Sequence, residues 1–399
     1  MERTGQMSKP AVFPACLTPE QTARLRRCVL DIVAEVAREH QETYGYRLWL
    51  DGRQSEDLTA HFAAHPTPDE DLETWVARAF GDKKFGIILN RGEKFSQQLS
   101  RSIAFALQPL LERIGMPSEG FLFTIFIGNY DMTPLGIHKD LPGKSVMHFH
   151  LGPGAKTIYT WEDDDYACPP EQRQNNMTPG PHLATATRHT FQEGEIYFMP
   201  ENKFHLGTQD GLSIGVACWC NNRSSYDFGA QLMQWVRRKY LQPSDVMLKA
   251  DKNGLDDISA VEQTIALFDF PEQSTVKDLM RDAYKDHKYA MYSNGGFRNA
   301  PLPNTAVAAL GPASVVQIEE PYRFYHYLEA DGGQLVLYVR GTRIALRHRP
   351  GVIALLEALN GGARLSLDAV HALLGAEWPV ASVHYLLKLL HRHHGIRVS

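Results

Sequence analysis

Apolar positions recur at helical spacing in the first third of the chain. Leu25, Val29, Ile32 and Val33 form one stripe within residues 18–40, with Thr18 placed to cap the helix and Pro19 at its first position. A second helix is expected to begin at Thr67-Pro68 and to carry Leu72, Trp75, Val76 and Phe80. The run KKFGIILN (83–90) reads as a strand, and a longer helix follows near 94–114 with Ile103, Leu107, Leu110 and Leu111 facing a core. From 121 to 222 the pattern changes. FLFTIFIGNY, KSVMHFHLG, KTIYTW, EIYFMP and LSIGVACWC are short, aromatic and β-branched, with Gly and Pro between them. That pattern predicts an antiparallel barrel or sandwich. Turn chemistry throughout EDDDYACPPEQRQNNMTPGPH (162–182) marks an exposed insertion, either a solvated loop or a substrate-facing lid.

Residues 225–290 turn helical again, and SNGGFRNAPLPNTA (293–306) has linker composition. Hairpin-like strands follow, with a turn signal at Asp331-Gly332, and then three helices and the short strand GIRVS. The expected fold is α+β, with a double-stranded β-helix of jelly-roll type at its centre and flanking helices. Four segments are expected: an N-terminal helical and strand scaffold (1–120), the barrel core (121–224), a helical segment and linker that could dimerise (225–305), and a small winged-helix-like domain (306–399).

At 399 residues the chain exceeds one ordinary core, in keeping with several segments. A formal charge of -5 argues against a general nucleic-acid binder, which needs a basic footprint. The five cysteines are too few and too irregularly spaced for a disulfide framework or zinc pairs. Cys218 and Cys220 share one face of a strand and read as small buried apolar residues. No apolar run reaches membrane-spanning length, and the N-terminus lacks the apolar core of a signal peptide. A cytoplasmic location is the expectation.

The chemistry begins at His138-Lys139-Asp140. On a strand, residues i and i+2 point to the same face, so one imidazole and one carboxylate stand side by side. His205 offers a second imidazole from a later strand. Two His and one carboxylate leave half of an octahedral metal open, as a non-haem Fe(II) oxygenase requires. The alternative is that the two histidines are ordinary hydrogen-bonded barrel residues and Asp140 a turn residue. The frame around His205, GEIYFMPENKFH (194–205), resembles the second motif of the cupin barrel, with Asn202 where that family has its inner Gly. Asn tolerates left-handed backbone, so the exchange is mild.

GIHKD, HFHLGPGAKTIYTW, GEIYFMPENKFHLG and SIGVACW together resemble the core of the JmjC family of Fe(II)/2-oxoglutarate oxygenases. The motifs cover about residues 121–222. The resemblance implies His138, Asp140 and His205 as iron ligands. It implies Lys156 as the cation for the distal carboxylate of 2-oxoglutarate, a role that suits a buried dianion, whereas the plain reading is a surface Lys at a strand start. Tyr130 or Thr124 would add a hydroxyl beside Lys156. His148 stands where some members have a co-substrate-binding amide. His150 shares its face and serves equally well as a core histidine. Thr133 and Trp219 are further candidates. The implied reaction consumes O₂ and 2-oxoglutarate and hydroxylates a substrate, with succinate and CO₂ as co-products.

The order of barrel, helical segment and terminal domain is similar to that of the ribosomal oxygenases, in which the helical segment makes a homodimer. The terminal domain also resembles PqqD-like domains, which capture a leader peptide along a strand edge. Both imply a peptide or protein substrate. An oxygenase tailoring a free amino acid or other small molecule is the first alternative, and a metal-free cupin-type regulator that binds DNA the second. No substrate-binding residue is evident from the sequence.

Overall fold

The structure is a computed structural model and describes residues 1–39, 45–248, 250–252, 254, 256–306 and 309–399. Two units emerge, Met1–Asn222 with Met291–Ser399, and Arg223–Ala290.

In the larger unit the chain runs through β1 (Ala11–Phe13), α1 (Pro19–Glu39), β2 (Tyr46–Leu50), β3 (Arg53–Gln54), α2 (Thr59–Ala63), α3 (Leu72–Phe80), β4 (Phe85–Asn90) and α4 (Gln97–Ile114). There follow β5 (Phe121–Gly128), β6 (His138–Lys139), β7 (Lys144–Pro153), β8 (Lys156–Trp161), β9 (Thr187–Phe191), β10 (Ile196–Met199), β11 (Phe204–Gln209) and β12 (Ser213–Asn221). Eight strands form one antiparallel sheet in the order β1-β10-β7-β12-β5-β4-β2-β3, and β6-β11-β8-β9 form a second. From β5 to β12 the chain passes back and forth between the two sheets, which is the strand course of a jelly roll. The large sheet also takes in β1 to β4, so strands from before residue 121 extend the barrel wall itself.

The helices follow from their local chemistry. Thr18 and Gln21 close a reciprocal cap on α1, Gln21 N–H donating to Thr18 Oγ1 (3.2 Å) and Thr18 N–H to Gln21 Oε1 (2.8 Å). The last position of the expected helix, residue 40, lies outside the described residues. Leu25, Val29, Ile32 and Val33 are fully buried against the large sheet's outer core, and Arg26 pins the helix to the barrel through Glu193 (2.8 Å) and the Leu151 carbonyl (2.8 Å). The second helix begins at Leu72 and not at Thr67-Pro68. Asp71 accepts from Thr74 N–H (2.8 Å) and is the true cap, while Thr67 and Glu70 form a turn before it. The short α2 was not expected from the pattern.

The segment 293–306 is an ordered strap and no loose linker. Phe297 is buried, Phe121 N–H donates to the Gly296 carbonyl (2.7 Å), and Arg298 pairs with Glu119 (2.6 Å). The C-terminal part contains β13 (Val315–Ile318), β14 (Tyr325–Leu328), β15 (Gln334–Val339), β16 (Thr342–Arg347), β17 (Leu365–Ser366) and β18 (Ile396–Val398). They make two three-stranded sheets, β17-β13-β18 and β14-β15-β16. Its three helices, Pro350–Asn360, Leu367–Leu374 and Val380–Arg392, share a separate core around Leu335, Leu355 and Leu387. Asp331-Gly332 falls in a five-residue loop, and β15 turns into β16 through Arg340-Gly341, both at positive φ (47° and 82°), as a two-residue hairpin requires. The Arg340 side chain is buried, stacks on Tyr322 and donates to Asn294 (3.0 Å) and Gln97 (2.6 Å), joining this part to the strap and α4.

The smaller unit holds helices Ser225–Tyr240 and Glu262–Ile265 and most of Val276–Ser293, with a small core of Val236, Tyr240, Leu279 and Ala283. Within 225–290, expected to be helical, SAVEQTIALF (259–268) forms a 3₁₀ turn and only four α-helical residues. Among the described residues no helix is long and apolar enough to cross a membrane.

Candidate active site

Strand pleat and register bring nine of the ten candidate site residues named from the sequence, all but His150, to one cavity of about 160 Å³. Thr124 on β5 and His148 on β7 reach it from the large sheet. His138, Lys156 and His205 reach it from the small one, with Asp140 just past β6 and Tyr130 just past β5. Two glycines make room: a Cβ at Gly215 would run into the His148 imidazole, and one at Gly207 would lie 2.8 Å from Thr133 Cγ2. Asn202 takes φ 63°, the left-handed turn that its place before β11 demands.

His138 and His205 are register partners on β6 and β11, with ring centroids 4.2 Å apart. Each is oriented by the same device. His138 Nδ1 lies 2.9 Å from the Gly136 carbonyl, and His205 Nδ1 lies 3.2 Å from the Lys203 carbonyl. A carbonyl only accepts, so each Nδ1 carries the proton and each Nε2 keeps its lone pair for a ligand. Burial, reinforced by the neighbouring His138, pulls the His205 pKa down to about 4, leaving a neutral imidazole at pH 7. Asp140 stands beside them. Its Oδ1 meets Lys144 Nζ at 3.3 Å, while its Oδ2 is buried with no hydrogen-bond partner and lies 4.0 Å from His205 Nε2.

As placed, no three His, Cys, Asp or Glu side chains among the described residues converge closely enough to hold an ion. Adjacent ligands of one octahedral ion with bonds of ~2.1 Å stand ~3 Å apart, so Asp140 Oδ2, which lies 4.0 Å from His205 Nε2, would have to come about an ångström closer. The donor set otherwise fits a divalent metal: two imidazoles oriented by backbone carbonyls and one carboxylate oxygen left unsatisfied.

The insertion braces this strand. Asn176 and Ile137 exchange both backbone hydrogen bonds (2.8 and 3.0 Å). The Gln174 amide accepts from Lys139 N–H (2.8 Å) and donates to the Lys139 carbonyl (2.7 Å). Tyr166 is buried against Trp161 and Phe204. The loop therefore lies along the open edge of β6, where a further strand would.

The other end of the site is cationic. Lys156 is only 4% exposed, and among the described residues no carboxylate pairs with it. Its ammonium donates to Tyr130 OH at 3.2 Å, between the rings of Tyr130 and Phe126. Buried unpartnered polar atoms surround it, namely Thr133 Oγ1 and His148 Nε2. Burial first, and then the Lys156 charge, press the His148 pKa well below its ordinary value, so this imidazole is neutral. Thr124 directs its hydroxyl to Asn90 Oδ1 (2.8 Å), which leaves Tyr130 as the hydroxyl beside Lys156. His150 is buried behind His148, its Nε2 bonded to the Gly154 carbonyl (2.7 Å) and its ring against Phe191. Trp219 lines the cavity under Lys144, whose ammonium sits 3.8 Å from the ring centroid. A buried ammonium facing unsatisfied donors is stable when an anion joins it. A carboxylate of 2-oxoglutarate fits that end.

Sequence reasoning did not find Arg47, Trp49, Ile88 or Asn90, which β2 and β4 add to the same cavity. Alternation along 83–90 could have placed Ile88 and Asn90 on one face. Nothing local announces that β2 joins this sheet.

No known protein-family model matches the chain, and no curated protein does. Among solved structures, ycfD of E. coli aligns over 98% of this chain and 95% of its own at 15% identity, with a TM-score of 0.47. The chain is similar to a ribosomal oxygenase. YcfD from Escherichia coli, described as one, aligns in complex with cobalt and succinic acid over 98% and 95% of the two chains (15% identity, TM-score 0.45). Its complex with cobalt and 2-oxoglutarate aligns over 98% and 94% (14% identity, TM-score 0.45). Likeness this distant carries no chemistry across.

Proposed function

We propose that the protein is an Fe(II)- and 2-oxoglutarate-dependent oxygenase of JmjC type that hydroxylates a side chain of a peptide or protein. The observation that carries this reading is the pairing, in one cavity, of a two-His, one-carboxylate set with a buried lysine that pairs with no carboxylate among the described residues. His138, Asp140 and His205 would hold the iron, and Lys156 with Tyr130 would hold the distal carboxylate. Bound there, iron and 2-oxoglutarate supply the oxidising power: one oxygen atom of O₂ enters the substrate C–H bond, the other enters succinate, and CO₂ leaves. The chain's own part is binding and orientation. The Gly136 and Lys203 carbonyls fix the imidazoles, the insertion braces β6, and Trp219, Met199 and Val146 keep the walls apolar.

The terminal part supports a peptide substrate. We read it as a winged-helix or PqqD-like domain, β14-β15-β16 followed by three helices. β16 pairs on one side only, and a groove runs between Leu346 and Arg347 of that strand and Trp378, Ser382 and Tyr385. An extended leader segment would add to that edge. The smaller unit exposes Met247, Val246, Leu248 and Ile258, apolar surface that a homodimer would cover; light scattering that finds a monomer at micromolar concentration refutes this part. A cytoplasmic enzyme is the consistent setting.

The deciding experiment is anaerobic reconstitution. The protein is expected to bind Fe(II) and 2-oxoglutarate and, on admission of O₂, to release succinate. Asp140→Ala should lose metal binding, read with Co(II) absorption as well as turnover. If neither Fe(II) nor 2-oxoglutarate binds, the oxygenase reading falls.

A further inference from the structure

The cavity holds one cation more than the oxygenase reading employs. Arg47 and Trp49 alternate on β2 and both face the cavity, where Ile88 and Asn90 of β4 flank them. The Arg47 guanidinium lies 5.4 Å from the Trp49 ring centroid. Its Nε is buried with no hydrogen-bond partner, and among the described residues no carboxylate pairs with it. Three cations line the cavity: Arg47, Lys144 and Lys156. Lys144 is engaged by Asp140 (3.3 Å), and Asp140 is the sole acidic residue on the described lining. On the reading above, which this inference rests on, Lys156 takes the distal carboxylate of 2-oxoglutarate, and the metal set takes its other end. Arg47 is left over.

We infer that Arg47 is a specificity-determining residue that anchors a carboxylate of the substrate. A guanidinium offers a rigid fork of donors that matches a carboxylate in two parallel hydrogen bonds, and the Trp49 face beside it holds the plane. Ile88 and Trp49 provide an apolar wall for a short methylene stem. A cationic substrate group is disfavoured by the same inventory, since no lining carboxylate remains free to receive it and three positive groups would oppose its entry. The substrate class is therefore one that presents a carboxylate within a side chain's length of the oxidised carbon. That carboxylate belongs either to an acidic residue inside a peptide or to a free acidic amino acid.

The test is calorimetric titration of the full chain, alone and loaded with Mn(II) and 2-oxoglutarate. One arm uses free L-aspartate and L-glutamate. The other uses blocked tripeptides centred on Asp or Glu, with the Asn, Gln, Lys and Arg tripeptides as comparisons. At least one acidic probe is expected to bind tenfold or more tighter than its amide counterpart, and the arm in which it does so names the source. Arg47→Gln, which keeps the shape and loses the charge, should abolish that preference, and Arg47→Lys should restore part of it. Thermal melting confirms that the variants fold. Three results overturn the inference: no preference for acid over amide, a preference that survives Arg47→Gln, or a loss of 2-oxoglutarate affinity in Arg47→Gln equal to that in Lys156→Ala. Failure of Mn(II) and 2-oxoglutarate to bind would instead remove the oxygenase reading, because the acidic probes are also titrated without them.

Discussion

Replacing Lys156 by Met separates a binding lysine from a structural one, because the two roles predict opposite effects on stability. The side chain is 4% exposed, and its ammonium donates to Tyr130 OH at 3.2 Å. A buried cation without a counter-ion costs the fold several kcal/mol before relaxation, and the lost charge-assisted hydrogen bond offsets about 1.5–3 kcal/mol of that. Met fills nearly the same volume. The variant without ligand should therefore be as stable as the wild type or more stable by about 1 kcal/mol, on the order of 2 °C in Tm. Binding should change far more. A carboxylate about 3 Å from the ammonium at an effective dielectric of about 20 is attracted by ~5 kcal/mol, of which its own desolvation consumes part. Truncating one side of such a buried pair costs about 2–5 kcal/mol, so the Kd for 2-oxoglutarate should rise by about 30- to 5,000-fold. Thermal melting with Mn(II), with and without 2-oxoglutarate at one hundred times the wild-type Kd, reads both effects. The wild type should gain about 2.7 kcal/mol, roughly 5 °C, and the variant almost nothing. A variant that melts several degrees lower yet keeps the 2-oxoglutarate shift would show that Lys156 supports the strand and binds no co-substrate.

Gln174→Ala removes both amide bonds to Lys139 on β6 (2.8 and 2.7 Å), a loss of about 1 kcal/mol at an exposed site. Co(II) affinity is expected to fall several-fold while hydrogen exchange at 137–140 accelerates; unchanged exchange there would mean that the Asn176 bridge suffices alone. Acid stability should depend on His61, buried beside Tyr46 OH, whose pKa burial lowers from 6.5 to about 4. The unfolded chain takes up this proton below pH 6.5 and the folded chain only near 4, so its contribution is complete above 6.5 and is lost as pH falls toward 4, about 3 kcal/mol in all. His61→Phe should flatten that part of the stability-pH curve in urea titrations at pH 4.5 and 7, and an unchanged slope would refute the assignment.

The sequence exposes best what depends on neighbours in the chain. Strand parity at His138 and Asp140, the Gly-Pro-His frame before His205 and the Gly-rich turn before Lys156 are all local signals, and those residues share one cavity wall. The cap of α1 was equally visible, as Thr18 and Gln21 need only each other. Local reading failed where two signals of the same kind competed. Thr67-Pro68 and Asp71 both resemble helix starts, and only the geometry shows that Asp71 receives the Thr74 N–H. It failed again at 293–306, where Gly and Pro mimic a linker but Phe297 and Arg298 are tied to Phe121 and Glu119.

What stayed hidden was the part of the site built by long-range pairing. β4 pairs with β5, so Asn90 comes opposite Thr124, and β2 pairs with β4, so Arg47 comes opposite Ile88. Each step is fixed by burial of the other face: Leu48, Ile87 and Leu89 pack under α1, α3 and α4. Shifting either register by one residue would bury Arg47 in that core and turn Leu48 into the cavity. The apolar positions that made residues 1–120 read as scaffold are thus the same ones that aim Arg47 at the chemistry. The groups proposed to hold metal and co-substrate come from the barrel's own turns and strands, and the group inferred to choose the substrate comes from strands added at its flank. Substrate preference can therefore change through the 46–90 region without disturbing the residues proposed to hold iron.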